Sequence, residues 1–481
     1  MLTPEEELGL AGRALLGRVE RAVHVLGDEA LVGLLRELES ESRKDRLFYL
    51  HDGVQEVVRV FATPLPLLPE QVQYLHAVSL ELHNATRRLA SLYLADARVR
   101  AVLELPPAEE SWLKELWTPA HADDNPVFGR LDAVFDAASS HWKAGLSFLE
   151  PNMGGVGGLH LWPTAERAQA RVVWPALLAA DARLRLDLGQ DVRNLLMQQL
   201  VDHLEALGAS GRCICFVEPK YSDSGPEDQA ALAEHFHRHF GVQVFHADPA
   251  ELSWDGEHAR YRGTPVDLVY RDYSVEDLVA LEISGVDVTA MRELMRRNRV
   301  VSSLASDLDQ KSVFEVFSDP ELCASHFTPQ ERHLFRRHVP WTRLLRERRC
   351  LLADGTVGEL LEHARVEREH LVLKPNRSYG GHGVCVGRAV SSSTWDEALQ
   401  TAASQPNRWV VQRAVPLPVH EFPVLVNDGI EHQPFYVVLG LAPTEDGVAV
   451  LGRASQKQVV NIAQRGGLVV YPVAQPVARV R

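Results

Sequence analysis

The chain has 481 residues and a mass of 53.6 kDa, enough for two or three domains rather than one. A composition of 46% hydrophobic and 24% charged residues excludes a disordered, collagen-like or disulfide-scaffold protein. A formal charge of −15 argues against a general partner in nucleic acid or anionic membrane, and leaves room for a local basic patch. Of the 50 basic side chains only seven are lysine, so the surroundings of each lysine carry information.

The N-terminal stretch MLTPEEELGL is acidic and lacks the cationic start of a signal peptide, and no apolar run reaches the length of a membrane span. A cytoplasmic protein is expected. Residues 1–150 read as mostly helical. Pro69 opens a stretch to Asp96 in which Val72, Leu75, Val78, Leu82 and Leu89 recur at helical spacing. GLSFLEPN, around 145–152, reads as a short strand ending in polar residues, MGGVGGL as a loop, and about 187–207 as a long helix. From about 211 strand and helix alternate: RCICFVEP, DQAALAEHFHRHFG, VQVFHADP, then a two-strand segment ending in VDLVYRDY. That rhythm predicts a small α/β domain at roughly 210–300. Cys213 and Cys215 alternate on one strand face and read as buried apolar thiols rather than a redox pair. The stretch ERHLFRRHVPWTRLLRERRC carries seven arginines against two glutamates. It is either a solvated helix face or a surface that meets phosphate. Strands HLVLKP, RWVVQRAV, PFYVVLGLA and GVAVLGRAS follow.

The strongest chemical signal is HLVLKPNRSYGGHGVCVG, residues 370–387. Apolar residues deliver Lys374 to a strand end, and a polar run leads to Gly380, Gly381 and Gly383 before apolar residues resume. This predicts two antiparallel strands joined by a glycine-rich loop. Such a loop can lay backbone N–H groups along a polyphosphate, with the lysine as counter-charge; a plain hairpin is the competing reading. No GK[ST] follows the glycines, so the loop is not a Walker A motif.

The pattern K-P-x-x-x-x-G-G-x-G-V resembles the glycine-rich lid of ATP-grasp enzymes, which join a carboxylate to an amine through an acyl-phosphate. The order of motifs resembles, more narrowly, the eukaryotic-type, circularly permuted glutathione synthetases. FLEPNMGGVGGL resembles the family's E-x-N, which implies Glu150 and Asn152 as magnesium ligands; Mg²⁺ favours oxygen donors, and residues two apart on a strand point the same way. GRLD resembles a segment that contacts the acidic substrate and points to Arg130. VDLVYRDYS resembles a substrate-domain strand end and points to Arg271 and Tyr273. LASDLDQKSVFEVF places Lys311 where the family has a phosphate-reaching lysine; an exposed lysine on an amphipathic helix is the alternative. WVVQRAV places Gln412 before the hinge that receives adenine, and Asn376 lies in the lid. GRASQKQVVNIAQRGG resembles a late arginine followed by a closing loop, implying Arg453 on the reacting carboxylate and Asn461, Gly466 and Gly467 over the substrate.

The resemblance implies an α/β ATP-grasp fold of the glutathione synthetase-like type: a helical N-terminal part, 1–208, that contributes the metal motif; an inserted α/β substrate-binding domain, 209–305; and an ATP-grasp domain, 306–481, with its lid at about 340–420. It implies ATP and Mg²⁺, a small carboxylate such as an amino acid or short peptide, an amine, and a homodimer. Arg453 and Arg130 stand as the catalytic pair. A phosphotransferase on the same fold and a nucleotide-binding protein without turnover remain alternatives. Two departures matter. Ser378 stands where the family's lid has a metal-binding glutamate, and Ser455 stands where a lysine follows the late arginine.

Overall fold

A computed structural model describes residues 2–209, 211–222, 224–226, 229–378, 380–460 and 466–474. Helix α1 (Pro4–Lys44) begins at a Thr3–Glu6 capping box. Helix α2 (Pro69–Arg87) has its proline in the first turn, as the sequence spacing predicts, and buries Leu75, Val78 and Leu82. Helix α3 (Pro107–Leu116) follows. The helical run then gives way to two antiparallel strands, β1 (Arg130–Val134) and β2 (Ser147–Asn152). Helix α4 (Leu161–Val172) precedes α5 (Val192–Ala206). The long helix expected from about 187 starts later because Asp191 accepts from the Arg193 amide as N-cap, while Leu186–Asp187 pairs as a strand with Val473–Ala474.

The next segment forms a four-stranded parallel sheet in the order β6-β5-β3-β4, from β3 (Cys213–Val217), β4 (Gln243–Ala247), β5 (Leu268–Arg271) and β6 (Val300–Val301), with α6 (Gln229–Phe240) between β3 and β4. Strand β3 is buried along its whole length, Cys213 and Cys215 included, as a parallel strand covered on both faces should be. Between β4 and β5 lies a three-stranded meander, Leu252–Trp254, Ala259–Tyr261 and Thr264–Pro265, where the sequence suggested a single strand before VDLVYRDY.

Helices α7 (Val313–Ser318) and α8 (Pro329–His338) lead into a second four-stranded sheet, this one antiparallel, in the order β7-β10-β8-β9. Its strands are β7 (Thr342–Leu344), β8 (Leu371–Pro375), β9 (Cys385–Val386) and β10 (Trp409–Arg413), and α9 (Ser392–Ala403) packs on it. The sheet has its own apolar core, with Leu371, Leu373 and Val411 on one side meeting Trp395 and Leu399.

The chain ends in long antiparallel strands, β11 (Val419–Val426), β12 (Gly429–Thr444), β13 (Gly447–Ser455) and β14 (Gly467–Val469). Asn427 and Asp428 both take positive φ in the two-residue turn between β11 and β12, the turn such a tight hairpin needs. These strands and the early pair make one sheet in the order β14-β13-β12-β1-β2, with β11 also paired to β12. Strands from the two ends of the chain therefore share one surface. Among the described residues no helix is long and apolar enough to cross a membrane.

Candidate active site

Strand pairing sets one face of the large sheet. Asp132 lies opposite Glu150 and Arg130 opposite Asn152 across β1 and β2; Gly440 of β12 lies opposite Asp132, and Val438 opposite Arg453 of β13. The Arg130 Nε donates to Asp132 Oδ1 at 2.8 Å, and Arg453 Nη2 stands 2.7 Å from Asp132 Oδ2. Burial alone would raise the Asp132 carboxyl; the two guanidiniums outweigh it and hold it below the usual carboxylate range. Arg130 crosses β12 where there is no side chain: a Cβ at Gly440 would stand 2.4 Å from Arg130 Cδ. The Arg453 Nε is buried without a hydrogen-bond partner among the described residues.

The antiparallel sheet faces this surface. Lys374, at the end of β8, is buried, and its Nζ donates to the Leu149 carbonyl at 3.1 Å. Burial pushes its ammonium down to about 8; Glu150 and Asp132 work against that shift and Lys311 with it. Gln412 of β10, opposite Thr342, donates to Thr342 Oγ1 at 3.0 Å and to the Leu149 carbonyl at 3.5 Å. The loop from β8 to β9 holds Gly380, Gly381 and Gly383 at φ of 72°, 72° and 74°, a region that side chains disfavour. Its two strands are antiparallel, with Leu373 opposite Cys385, as the loop's sequence predicts. Asp132, Glu150, Lys374, Gly381, Gln412 and Arg453 line one cleft between the sheets. The cleft encloses about 120 Å³, less than the ~300 Å³ at the low end of small-molecule sites.

Lys311 does not ride an exposed helix face. It is buried in the turn before α7, where its Nζ donates to the Ser378 carbonyl at 2.5 Å and lies 3.3 Å from Glu150 Oε2. The backbone of the β8–β9 loop fixes this position, because Lys311 N donates to the Asn376 carbonyl at 3.0 Å. Asn376 is not free to meet a nucleotide through its side chain. Its Oδ1 accepts from Ser312 N at 2.8 Å and its Nδ2 donates to Gln310 Oε1 at 3.0 Å. The sequence assigned it to the cofactor; its contacts make it a clamp between the β8–β9 loop and the Lys311 turn.

Four cations, Arg130, Arg453, Lys311 and Lys374, thus gather around two carboxylates, Asp132 and Glu150. A local excess of positive charge inside an acidic protein suits a polyanion. For a divalent metal, Glu150 offers a hard anionic oxygen and Asn152 an amide oxygen; the Asn152 Nδ2 is buried without a partner among the described residues. Asp132 is taken by its arginines, and Ser378 brings no carboxylate. The donor set fits Mg²⁺, which binds through one or two carboxylates and keeps water and phosphate oxygens.

Two residues assigned to the substrate, Arg271 and Tyr273, do not line this cleft. Arg271 is fully buried, donating to the carbonyls of Ser302 (2.8 Å), Ser303 (2.9 Å) and Tyr273 (2.5 Å), to Ser306 Oγ (2.8 Å) and to Asp307 (2.5 Å). All its N–H groups are engaged, so it locks the 302–307 segment and has nothing left for a ligand. The Tyr273 hydroxyl donates to Asp248 at 2.8 Å, and burial raises its pKa further above the ordinary range. Gly467 packs under Phe61, whose ring would lie 2.6 Å from an added Cβ. That close approach explains the glycine without a substrate. Gly466 precedes β14, and Asn461 lies outside the described residues.

Sequence reasoning passed over Asp132, Gly440 and Asp309. Asp132 sits inside the quoted GRLD. Gly440 is a lone glycine within an apolar strand, a known mark of close approach. Asp309 is buried, accepts from Met153 N at 2.7 Å and so anchors the turn after Asn152; burial raises its carboxyl to about 6. The β8–β9 loop is also held by an ion pair the sequence gave no sign of, Arg377 to both oxygens of Glu109 on α3 at 3.0 and 2.6 Å.

No family model and no curated protein matches the sequence. Among solved structures, the fold is that of the glutathione synthetase-like class. The chain is similar to a glutathione synthetase-like effector from Globodera pallida, solved in its apo form, with a TM-score of 0.60 and 13% identity over 92% of this chain and 97% of that one.

Proposed function

We propose that this chain is an ATP-dependent, ADP-forming carboxylate–amine ligase built on the ATP-grasp plan. One observation carries the reading: on a glutathione synthetase-like fold, Lys311, Lys374, Arg130 and Arg453 surround the Asp132–Glu150 pair beneath a glycine-rich lid. Lys374 and Lys311 would neutralise the ATP phosphates, with the amides of the 380–383 loop as further donors and Gln412 at the adenine end. Bound Mg²⁺, held by Glu150 and Asn152, would supply charge neutralisation of the phosphates. Arg453, whose Nε has no partner among the described residues, would take the substrate carboxylate, and Arg130 would assist. In that step a carboxylate oxygen bonds to the γ-phosphorus as the bond to ADP breaks. An amine then attacks the acyl carbon, phosphate leaves, and the amine loses a proton. Alignment and charge neutralisation are the catalysis, and no side-chain nucleophile is needed. The narrow cleft requires the β8–β9 lid to lift for nucleotide entry and to close before water can hydrolyse the acyl-phosphate.

Ser378 supports a second reading, a nucleotide-binding protein without turnover. It offers no anion to a metal, and its carbonyl already receives Lys311. Measuring ADP release with a panel of small acids, with and without amines, decides the matter. Amine-dependent release is expected. Release with acid alone and a stable phosphorylated product would reassign the chain as a phosphotransferase; ATP binding with no release across the panel would leave the second reading. If turnover is found, Glu150→Gln should lower it by about 10²-fold.

A further inference from the structure

The seven-arginine stretch finds no role in the cleft, and the structure gives part of it another setting. Arg332, Arg336 and Arg337 of α8, together with Arg413 at the end of β10, line a separate cavity of about 480 Å³. We propose that this cavity is a second anion site, one that takes a small molecule carrying a polyphosphate chain.

The charges there are largely uncompensated. Among the described residues no carboxylate lies within ion-pair distance of Arg332 or Arg336, and the Arg332 Nε is buried without a partner. Arg337 reaches only Glu5, at 3.5 Å. Asp319 is the one acidic residue lining the cavity, and it is occupied as a helix N-cap, accepting from Glu321 N at 3.0 Å and Leu322 N at 3.1 Å. His338, also in the lining, adds no charge. Burial pushes it down to about 4, and its ring nitrogens face Tyr74 Oη and the Leu146 carbonyl, each at 2.9 Å.

Arg332 and Arg336 are one helical turn apart and share a face. The three α8 guanidiniums line the cavity with little countercharge, and Arg413, exposed and donating one Nη2 to the Ala353 carbonyl, adds a fourth charge to the lining. A lone carboxylate matches one guanidinium fork; several forks spread over a helix and a strand end match a chain of phosphates. The volume falls within the ~300–1,000 Å³ range of small-molecule sites, and Phe317, Trp341 and Val415 give the walls apolar surface. The site is distinct from the cleft. Arg413, Ala414 and Val415 line both cavities, so this chain segment is the partition between them. Nothing in the inference depends on ATP occupying the cleft.

Calorimetric titration of the full chain with tripolyphosphate tests it. Wild type should bind at a site that Arg332→Ala/Arg336→Ala loses or weakens by about tenfold or more, whether or not the cleft binds as well. Arg349→Ala removes a charge from the same stretch at an exposed position outside the cavity and should change nothing. In a Lys311→Ala/Lys374→Ala chain the arginine-dependent site should persist. Equal loss in Arg349→Ala, one site in wild type that disappears with the two lysines, or unchanged binding in the double arginine variant would each overturn the proposal. Titration with ADP identifies the source: tighter binding than tripolyphosphate at the arginine site assigns a nucleotide, equal binding a free phosphate chain.

Discussion

Lys374 and Arg271 are both buried cations at the ends of strands, and they stand in opposite relations to the protein around them. Arg271 has an acceptor for every N–H and an ion pair with Asp307. Lys374 has one carbonyl acceptor and a pKa pushed down to about 8 by burial. A buried charge that the protein satisfies completely belongs to the fold. A buried charge left short of partners, facing a cleft, is held for something that arrives.

The two sites should therefore fail in different ways, and the larger failure is structural. Arg271→Ala leaves Asp307 buried without its counter-ion and three carbonyls without donors, and should cost about 3–5 kcal/mol of stability. Chemical denaturation reads this directly; a loss near zero would mean that Arg271 is not the lock its geometry describes. Lys374→Met removes a charge that the fold accommodates poorly. Its stability should stay level or rise at neutral pH, while ATP affinity falls by about 10- to 100-fold. Unchanged nucleotide affinity would sink the lid assignment.

This contrast also marks where sequence stops being informative. The rarity of lysine singled out Lys311 and Lys374, and two-residue alternation on a strand put Glu150 and Asn152 on one side. Both signals are local, and both survive folding. Arg271 carried the same kind of motif evidence, because VDLVYRDYS reads alike whether its arginine meets a ligand or the 302–307 segment. That segment is distant in sequence, so no local pattern could separate the cases. The side-chain partners of Asn376 were hidden for the same reason: Gln310 and Ser312 reach it only through the tertiary fold. The large sheet was less legible than the parallel one. Its strands come from both ends of the chain, whereas the parallel sheet announces itself by alternating with helices.

Gly440 sharpens the comparison at the level of a single atom. It is silent in the sequence, yet the Arg130 side chain lies across it. Gly440→Ala should displace Arg130 from Asp132, with an overpacking cost of about 1–3 kcal/mol. If the ligase reading holds, turnover should fall more than ATP affinity does, because the arginines serve the carboxylate end. An equal fall in both would place Arg130 with the nucleotide instead.

Glu166 asks whether every poorly satisfied buried charge is functional. It lines an apolar cavity with Leu67, Val450 and Tyr471, away from the cleft. Burial raises its carboxyl to about 7, with only the Gly189 N–H, at 2.6 Å, opposing the shift through a hydrogen bond. In the unfolded chain the group titrates near 4.3. Below that pH both states are protonated and burial costs nothing. Between about 4.3 and 7 the unfolded chain ionises first, so stability falls as pH rises, and above 7 the full cost is present. Glu166→Gln keeps the acceptor for Gly189 and removes the charge. It should stabilise the protein by about 1–2 kcal/mol at pH 8 and by nothing measurable at pH 4. ATP affinity should not change at either pH. A parallel change in ATP affinity would show that Glu166 communicates with the cleft, and unmet burial would then mark function at this carboxyl as it does at Lys374.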